Sequence, residues 1–268
     1  MRSKLIFLCL LGLSLPAFSF DIGAGRLTGM GGTVLFSSPS ASDYLACPAV
    51  LLSERQLVFE SGFQRKYDLA DLDKVFAAAA YRYRSFSGAV GFSQFGRENY
   101  YTEKLIRGAL GVQFRLMTLA IDISGWTIEI GDNHGSFNMA SLGVTGGLNY
   151  ERFHLGLAAD NINQPAPIDD AERYQTVFKI YAEVEGPSTY SLTGRVALEK
   201  YEKPILAVGQ YIRLQGKNAI FWGVSNNPLT YGGGIDLHYR GFRLGYAASY
   251  HPVLGMSHNL SLEFVWKS

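Results

Sequence analysis

From Thr230 to the C-terminus the chain alternates apolar and polar residues in successive rounds divided by tight turns. Tyr231, Ile235, Leu237 and Tyr239 oppose Thr230, Asp236, His238 and Arg240. After Gly241, Phe242, Leu244, Tyr246, Ala248 and Tyr250 oppose Arg243, Gly245, Ala247, Ser249 and His251. After Pro252–Gly255, Leu260, Leu262, Phe264 and Trp266 oppose Asn259, Ser261, Glu263 and Lys267. A period of two is a strand whose two faces meet different surroundings. Here the apolar face carries aromatic rings near strand ends and the other face carries charge. That is the pattern of a strand with lipid on one side and a polar lumen on the other.

The N-terminus supplies a route to a membrane outside the cytoplasm. Arg2 and Lys4 precede an apolar run, Leu5 to Leu15, then Pro16 and the small-residue site Ala17-Phe18-Ser19. This is the layout of a secretory signal peptide, with cleavage expected after Ser19. A retained anchor is the weaker alternative, because the run is short for a span. Cys9 leaves with the signal, so the mature chain keeps Cys47 and no intramolecular disulfide. Hydrophobic residues make up 47%, aromatics 13% and charged residues 18%, yet no later stretch is long enough for a membrane helix. Strands must then do any crossing. The net charge of +1 comes with no basic stripe, which excludes nucleic acid as a partner.

Strand-like segments follow one another at 57–64, 75–84, 86–95, 104–115, 117–130, 137–150, 152–162, 174–185, 189–200, 204–214, 217–225, 230–240, 242–251 and 257–267. The expected fold is all-β, a transmembrane antiparallel barrel of about 14 strands, or about 12 if one pair merges. Asp68–Lys74 reads as a helical turn in a loop, and Gln164–Glu172 as a long polar loop. Three parts follow: 1–19 as signal, 20–55 as an N-terminal segment plugging the lumen, and 56–268 as the barrel. Parity assigns Arg107, Arg115, Asp122, Lys179, Glu183, Glu185, Arg195, Glu199, Asp236, Arg240, Arg243 and Glu263 to the lumen, since charge on the lipid face costs about 2–4 kcal/mol at the midplane. Tyr81, Tyr83, Tyr101, Tyr190, Tyr239 and Trp266 are expected in the interfacial girdles. Phe76–Ala80 and Ile205–Val208 break the alternation. A soluble β-sandwich is the competing fold, although it needs only about seven to nine strands.

Residues 20–55 do not alternate. Gly29-Met30-Gly31-Gly32, Ser40-Ala41-Ser42-Asp43 and Cys47-Pro48-Ala49 together resemble the start of FadL-type outer-membrane transport proteins and their PorV/PorQ relatives. Asp160-Asn161-Ile162-Asn163-Gln164-Pro165 is similar to an Asn-rich strand end with a Pro loop in that family. His251 to Phe264 is similar to its last hairpin and closing strand. The resemblance implies a fourteen-stranded barrel with its N-terminal segment in the lumen. It also implies one of two functions, passage of small hydrophobic molecules across the bacterial outer membrane or an accessory role in type IX protein secretion. Cys47 stands where the family has Asn, and Val50 where it has Gly. The chain closes on Trp266-Lys267-Ser268, so Phe264 and Trp266 are the expected signals for barrel assembly.

Catalytic chemistry finds little support. The glycines at 23, 25, 29, 31 and 32 lack the flanking strand and helix that a phosphate site requires, and no Walker lysine follows. His134, His154, His238, His251 and His258 show no metal-ligand spacing, so no metal and no cofactor are expected. Asp236, His238 and Ser249 are the components of a conceivable hydrolase triad, which geometry alone defines. The expectation is a protein that is not an enzyme. Its lumen charges are of both signs, which suits an internal ion-pair network better than an ion-selective ring. Met30, Val34, Leu35, Phe36 and Leu45 are the candidate ligand contacts in the plug, with packing against the wall as their alternative role. Expected partners are outer-membrane lipids, with a hydrophobic small molecule or secreted proteins according to function.

Overall fold

The structure is a computed structural model describing residues 22, 25–50, 52, 55–97, 100–131, 135–166, 173–187 and 189–267. The expected signal peptide, His134 and most of the polar loop after Pro165 lie outside the described residues.

Fourteen antiparallel strands close on themselves, with β1 paired to both β2 and β14. They are β1 (Gln56–Arg65), β2 (Asp73–Tyr83), β3 (Phe86–Arg97), β4 (Tyr101–Phe114), β5 (Met117–Ile130), β6 (Ser136–Tyr150) and β7 (Phe153–Asp160). The second half comprises β8 (Val177–Glu185), β9 (Tyr190–Glu199), β10 (Ile205–Arg213), β11 (Ala219–Asn226), β12 (Leu229–Tyr239), β13 (Phe242–His251) and β14 (Gly255–Lys267). Each strand expected from the alternation is present. β7 stops at Asp160 because Asn161 turns the chain with φ 58°. The expected turn near Asp68–Lys74 is a pair of 3-10 turns, Lys66–Asp68 and Ala70–Leu72.

Closure leaves no free edge, so every strand finds a hydrogen-bonding neighbour on both sides. Exposure follows parity. In β5, Leu119, Ile121 and Ile123 are exposed while Thr118, Ala120, Asp122 and Ser124 are buried. Phe86, Ile106, Leu110, Leu157, Phe178 and Leu206 extend the exposed apolar band around the wall. A sandwich buries its large apolar residues between two sheets. This sheet shows them outward and keeps its charges inward, as a lipid-facing barrel does.

The two rims differ. At the turn end, β2–β3, β4–β5, β6–β7 and β12–β13 are joined by two-residue turns. Their first residues, Arg84, Arg115, Glu151 and Arg240, have φ of 55°, 52°, 47° and 46°. A positive φ there matches hairpin twist. At the loop end, connections are mostly longer and reach a maximum at 161–176.

This geometry corrects two expected lumen charges. Arg115 and Arg240 continue the polar parity of their strands but fall one residue beyond them. The chain reverses there, and both side chains are exposed on the turn-end rim. Tyr101 is also corrected. It shares parity with Leu105 and Arg107, and its hydroxyl donates to Glu103 rather than standing in a girdle. Tyr81, Tyr83, Tyr190, Tyr239 and Trp266 are exposed at the turn end as expected.

Candidate functional site

The described N-terminal segment lies inside the barrel. It holds two short helices, α1 (Arg26–Gly29) and α2 (Ala41–Ala46), and makes no strand ladder with the wall. Met30, Val34, Leu35, Phe36 and Leu45 are each 0–1% exposed. They are packed between the segment and the wall, the second of the two roles expected for them. Each such burial is worth about 1.5–3 kcal/mol.

Glycine lets the plug approach the wall. Gly209, Gly223 and Gly232 lie side by side in register across β10, β11 and β12. Above them run Gly29 and Met30. A methyl group at Gly232 would sit 2.6 Å from the carbonyl oxygen of Gly29, and one at Gly209 would sit 3.0 Å from that of Met30. The row ends at Thr193, whose hydroxyl is 2.7 Å from that of Thr33. A polar plug backbone therefore rests on polar wall backbone with no side chain between.

Charged groups fix the ends of the plug. Asp43 caps α2 together with Ser40 and also holds Arg26 of α1. Arg26 lies 3.8 Å from Asp236 of the wall, which is 3.9 Å from Arg243; Arg243 pairs in turn with Glu263. Burial alone would lower the Arg26 pKa, but Asp43 and Asp236 outweigh it and the value is raised. Glu183, fully buried, accepts the amides of Phe36 and Ser37 and the Ser37 hydroxyl. Glu60 accepts the Ser42 amide at 2.9 Å. Burial pushes the Tyr44 hydroxyl up to about 12, against its bond to Ser87, and pushes the Cys47 thiol up to about 12.

Toward the loop end, the lumen opens into a vestibule with a cavity of about 60 Å³. One water takes about 10–15 Å³ of such space, so a single small organic molecule fits. Arg107 pairs with Asp122 at 2.8 Å and with Asp160 at 3.2 Å, and Lys179 pairs with Asp160 at 2.6 Å. These pairs join β4, β5, β7 and β8 across the lumen. Arg195 and Glu199, half-buried, also line the space. The Arg195 guanidinium lies over the plug, 2.6 Å from where a Cβ at Gly32 would stand. Trp126, Val177, Ala197 and Ile205 give the cavity an apolar flank, and Trp126 packs into the same apolar cluster as Leu105 and Met139.

Of the charges assigned to the lumen, Arg107, Lys179, Glu183, Arg195, Glu199 and Asp236 are there, divided between plug seat and vestibule. The alternation does not single out Trp126 or Asp160 as candidates. Trp126 shares the inward parity of Asp122 and Ser124, a signal present in the sequence. Asp160 ends its strand, and its partners on β4 and β8 are visible only in the closed barrel. The conceivable triad is not assembled. Ser249 pairs with Gly232, four positions along β12 from Asp236, and Asp236 is engaged by Tyr211 and the two arginines. Among the described residues no group of His, Cys, Asp and Glu has the placement of a metal site.

No protein-family model matches the chain, and neither does any curated protein. Solved structures do match in fold. The toluene transporter TbuX of Ralstonia pickettii aligns over 93% of this chain and 98% of its own, with a TM-score of 0.59 and 10% identity. The outer membrane protein Omp33 of Acinetobacter baumannii aligns over 80% of this chain and 100% of its own, with a TM-score of 0.54 and 8% identity. At such identities the likeness is one of fold. The chain folds as a closed barrel of the outer-membrane type.

Proposed function

We propose that this protein is an outer-membrane transporter that passes small, mainly apolar molecules, with its N-terminal plug as the gate. The observation that carries the reading is the seating of the plug. Its described residues are held by packing, backbone contacts on glycine and a few ion pairs, with no strand pairing to the wall. It can therefore shift while the barrel stays closed. Short turns at one rim and longer loops at the other orient the vestibule outward, since periplasmic turns are the shorter set. A molecule entering from outside meets Trp126 and Ile205 on one flank and Arg195 above Gly32 at the plug. The fold shared with TbuX, a toluene transporter, supports the same substrate class.

A reading as an accessory barrel of type IX secretion has less support. Apart from 161–176 the loop-end connections, though mostly longer than the turns of the other rim, run to seven residues at most, which leaves little surface to hold a folded cargo.

Locking the gate tests the proposal. A methyl group at Gly156 would lie 2.6 Å from the Cys47 sulfur. Gly156→Cys should form a disulfide that fixes the plug to β7. Uptake of labelled toluene by cells carrying the barrel should exceed that of cells without it. The lock should abolish the excess and reductant should restore it. Equal uptake with and without the barrel would overturn the proposal. Secreted proteins co-purifying with a barrel that gives no uptake would favour the accessory role.

A further inference from the structure

The two arginines that parity wrongly sent to the lumen belong to a pattern at the turn end. Tyr83-Arg84, Phe114-Arg115 and Tyr239-Arg240 each place an aromatic residue last in a strand and an arginine first in the turn. A fourth turn, Tyr150-Glu151-Arg152-Phe153, sets its arginine one residue later. Arg84 and Arg240 fold back over Tyr83 and Tyr239, each guanidinium carbon 5.2 Å from the ring centroid. Those tyrosines are exposed at 45% and 68% on the lipid side, so the guanidinium groups sit at the outer edge of the apolar band.

Ion pairs are more frequent among the described charges of the loop end, although Lys200 and Lys203 there make none and Lys200 lies 4.6 Å from the Tyr201 ring centroid. At the loop end Arg65 pairs with Asp73 at 3.0 Å, Arg97 with Asp71 at 2.9 Å and Lys104 with Glu129 at 2.8 Å. At the turn end the exposed side chains of Arg84, Arg115, Arg152 and Arg240 make no ion pair or hydrogen bond with any described residue. Arg55 and Lys217 add two more exposed cations to this rim. The described acids there are Glu151 and Glu185, and Glu185 is already engaged by His154 and Arg213. The β2–β3, β4–β5 and β6–β7 turns follow each other around the wall, two strands apart, or about 10 Å at ordinary strand spacing. An arc of unpaired guanidinium groups at the edge of an aromatic girdle is complementary to a row of lipid phosphates. Guanidinium takes phosphate oxygens in paired hydrogen bonds, and the rings below hold each cation at headgroup depth.

We infer that the turn-end rim binds the phosphate groups of anionic phospholipids in the periplasmic leaflet, through Arg84, Arg115, Arg152 and Arg240. This surface is separate from the vestibule and stands whether or not the barrel transports. Anchoring by charge at one rim fixes the depth of the barrel and opposes tilting.

The test is lipid retention by the mature barrel. Purified protein is equilibrated in mixed micelles with equal phosphatidylglycerol and phosphatidylcholine, and the lipids that stay bound are counted by native mass spectrometry. Phosphatidylglycerol should be retained in excess, and the excess should shrink as salt shortens the Debye length from about 10 Å to about 3 Å. The combined Arg84→Gln, Arg115→Gln and Arg240→Gln variant should reduce the excess about tenfold or more. The corresponding lysine variant should keep most of it, and both should retain the heat-modifiable migration of a folded barrel. Equal retention of the two lipids, or an excess untouched by the glutamine variant, overturns the inference. So does a variant that loses binding of lipopolysaccharide or peptidoglycan fragments while keeping phosphatidylglycerol.

Discussion

Asp43 has two partners at once: its carboxylate closes the capping box of α2 with Ser40 and receives the guanidinium of Arg26 from α1. The two helices of the plug are thus tied together by a single side chain, and Arg26 carries the tie on to Asp236 of the wall. Removing one partner of a buried pair leaves the other uncompensated, at a cost of about 3–5 kcal/mol. Asp43→Asn keeps most of the size and some capping ability but loses the charge. Its expected outcome is a looser plug in an intact barrel. Conductance in planar bilayers should rise and Cys47 should become reactive, while the strand signal in circular dichroism stays unchanged.

The glycine row makes a second, independent claim about the seat. Gly232→Val suits a strand by propensity, but its side chain must enter the space held by Gly29. The variant should fold as a barrel and fail to seat α1. Gly194→Val is the control, because a methyl there meets nothing nearer than the Ala207 carbonyl oxygen at 3.9 Å. Protease protection of the plug should fall in the first variant and persist in the second.

Much of the barrel is legible in the sequence because alternation is a local signal. Leu119, Ile121 and Ile123 against Ala120, Asp122 and Ser124 specify β5 and its facing without any knowledge of neighbours. Parity fails where a strand ends, so it does not place Arg115 and Arg240: the polar phase continues into a turn that no longer has an inside. The N-terminal segment is recognisable by its lack of alternation, and its buried residues by their apolarity. Its seat is not legible, because Gly209, Gly223 and Gly232 become one surface only through register. The vestibule is less legible still. Asp160 meets Arg107 and Lys179 on strands that no periodicity relates.

Cys47 reports on the gate through pH. Burial pushes its thiol from an ordinary 9.0 to about 12. The thiolate is the reactive form, so near pH 8 alkylation should be about a thousandfold slower than at an exposed thiol. The seated plug holds the proton more tightly than the released one. Its stability should therefore be level below pH 9 and fall as pH rises from there toward 12. Iodoacetamide labelling measured across that range should accelerate more steeply than thiol ionisation alone predicts. A rate equal to that of the unfolded chain at pH 8 would show that Cys47 is not buried.

The wall itself predicts a contrast of depth. Ile121 is 62% exposed on the outer face, between Leu110 of β4 and Val144 of β6, both also exposed. Arg115 is on the same β4–β5 hairpin but in the turn. If the outer face meets hydrocarbon, Ile121→Lys should cost about 2–4 kcal/mol in guanidinium unfolding from lipid vesicles. In water the same substitution would be nearly neutral, because an exposed lysine is well solvated. In vesicles without anionic lipid, and in water, Arg115→Ala should stay within about 0.5 kcal/mol, as expected for an exposed side chain that no protein group engages. Only the first position reads the surrounding solvent, so the difference between the two variants measures whether this band is lipid-facing.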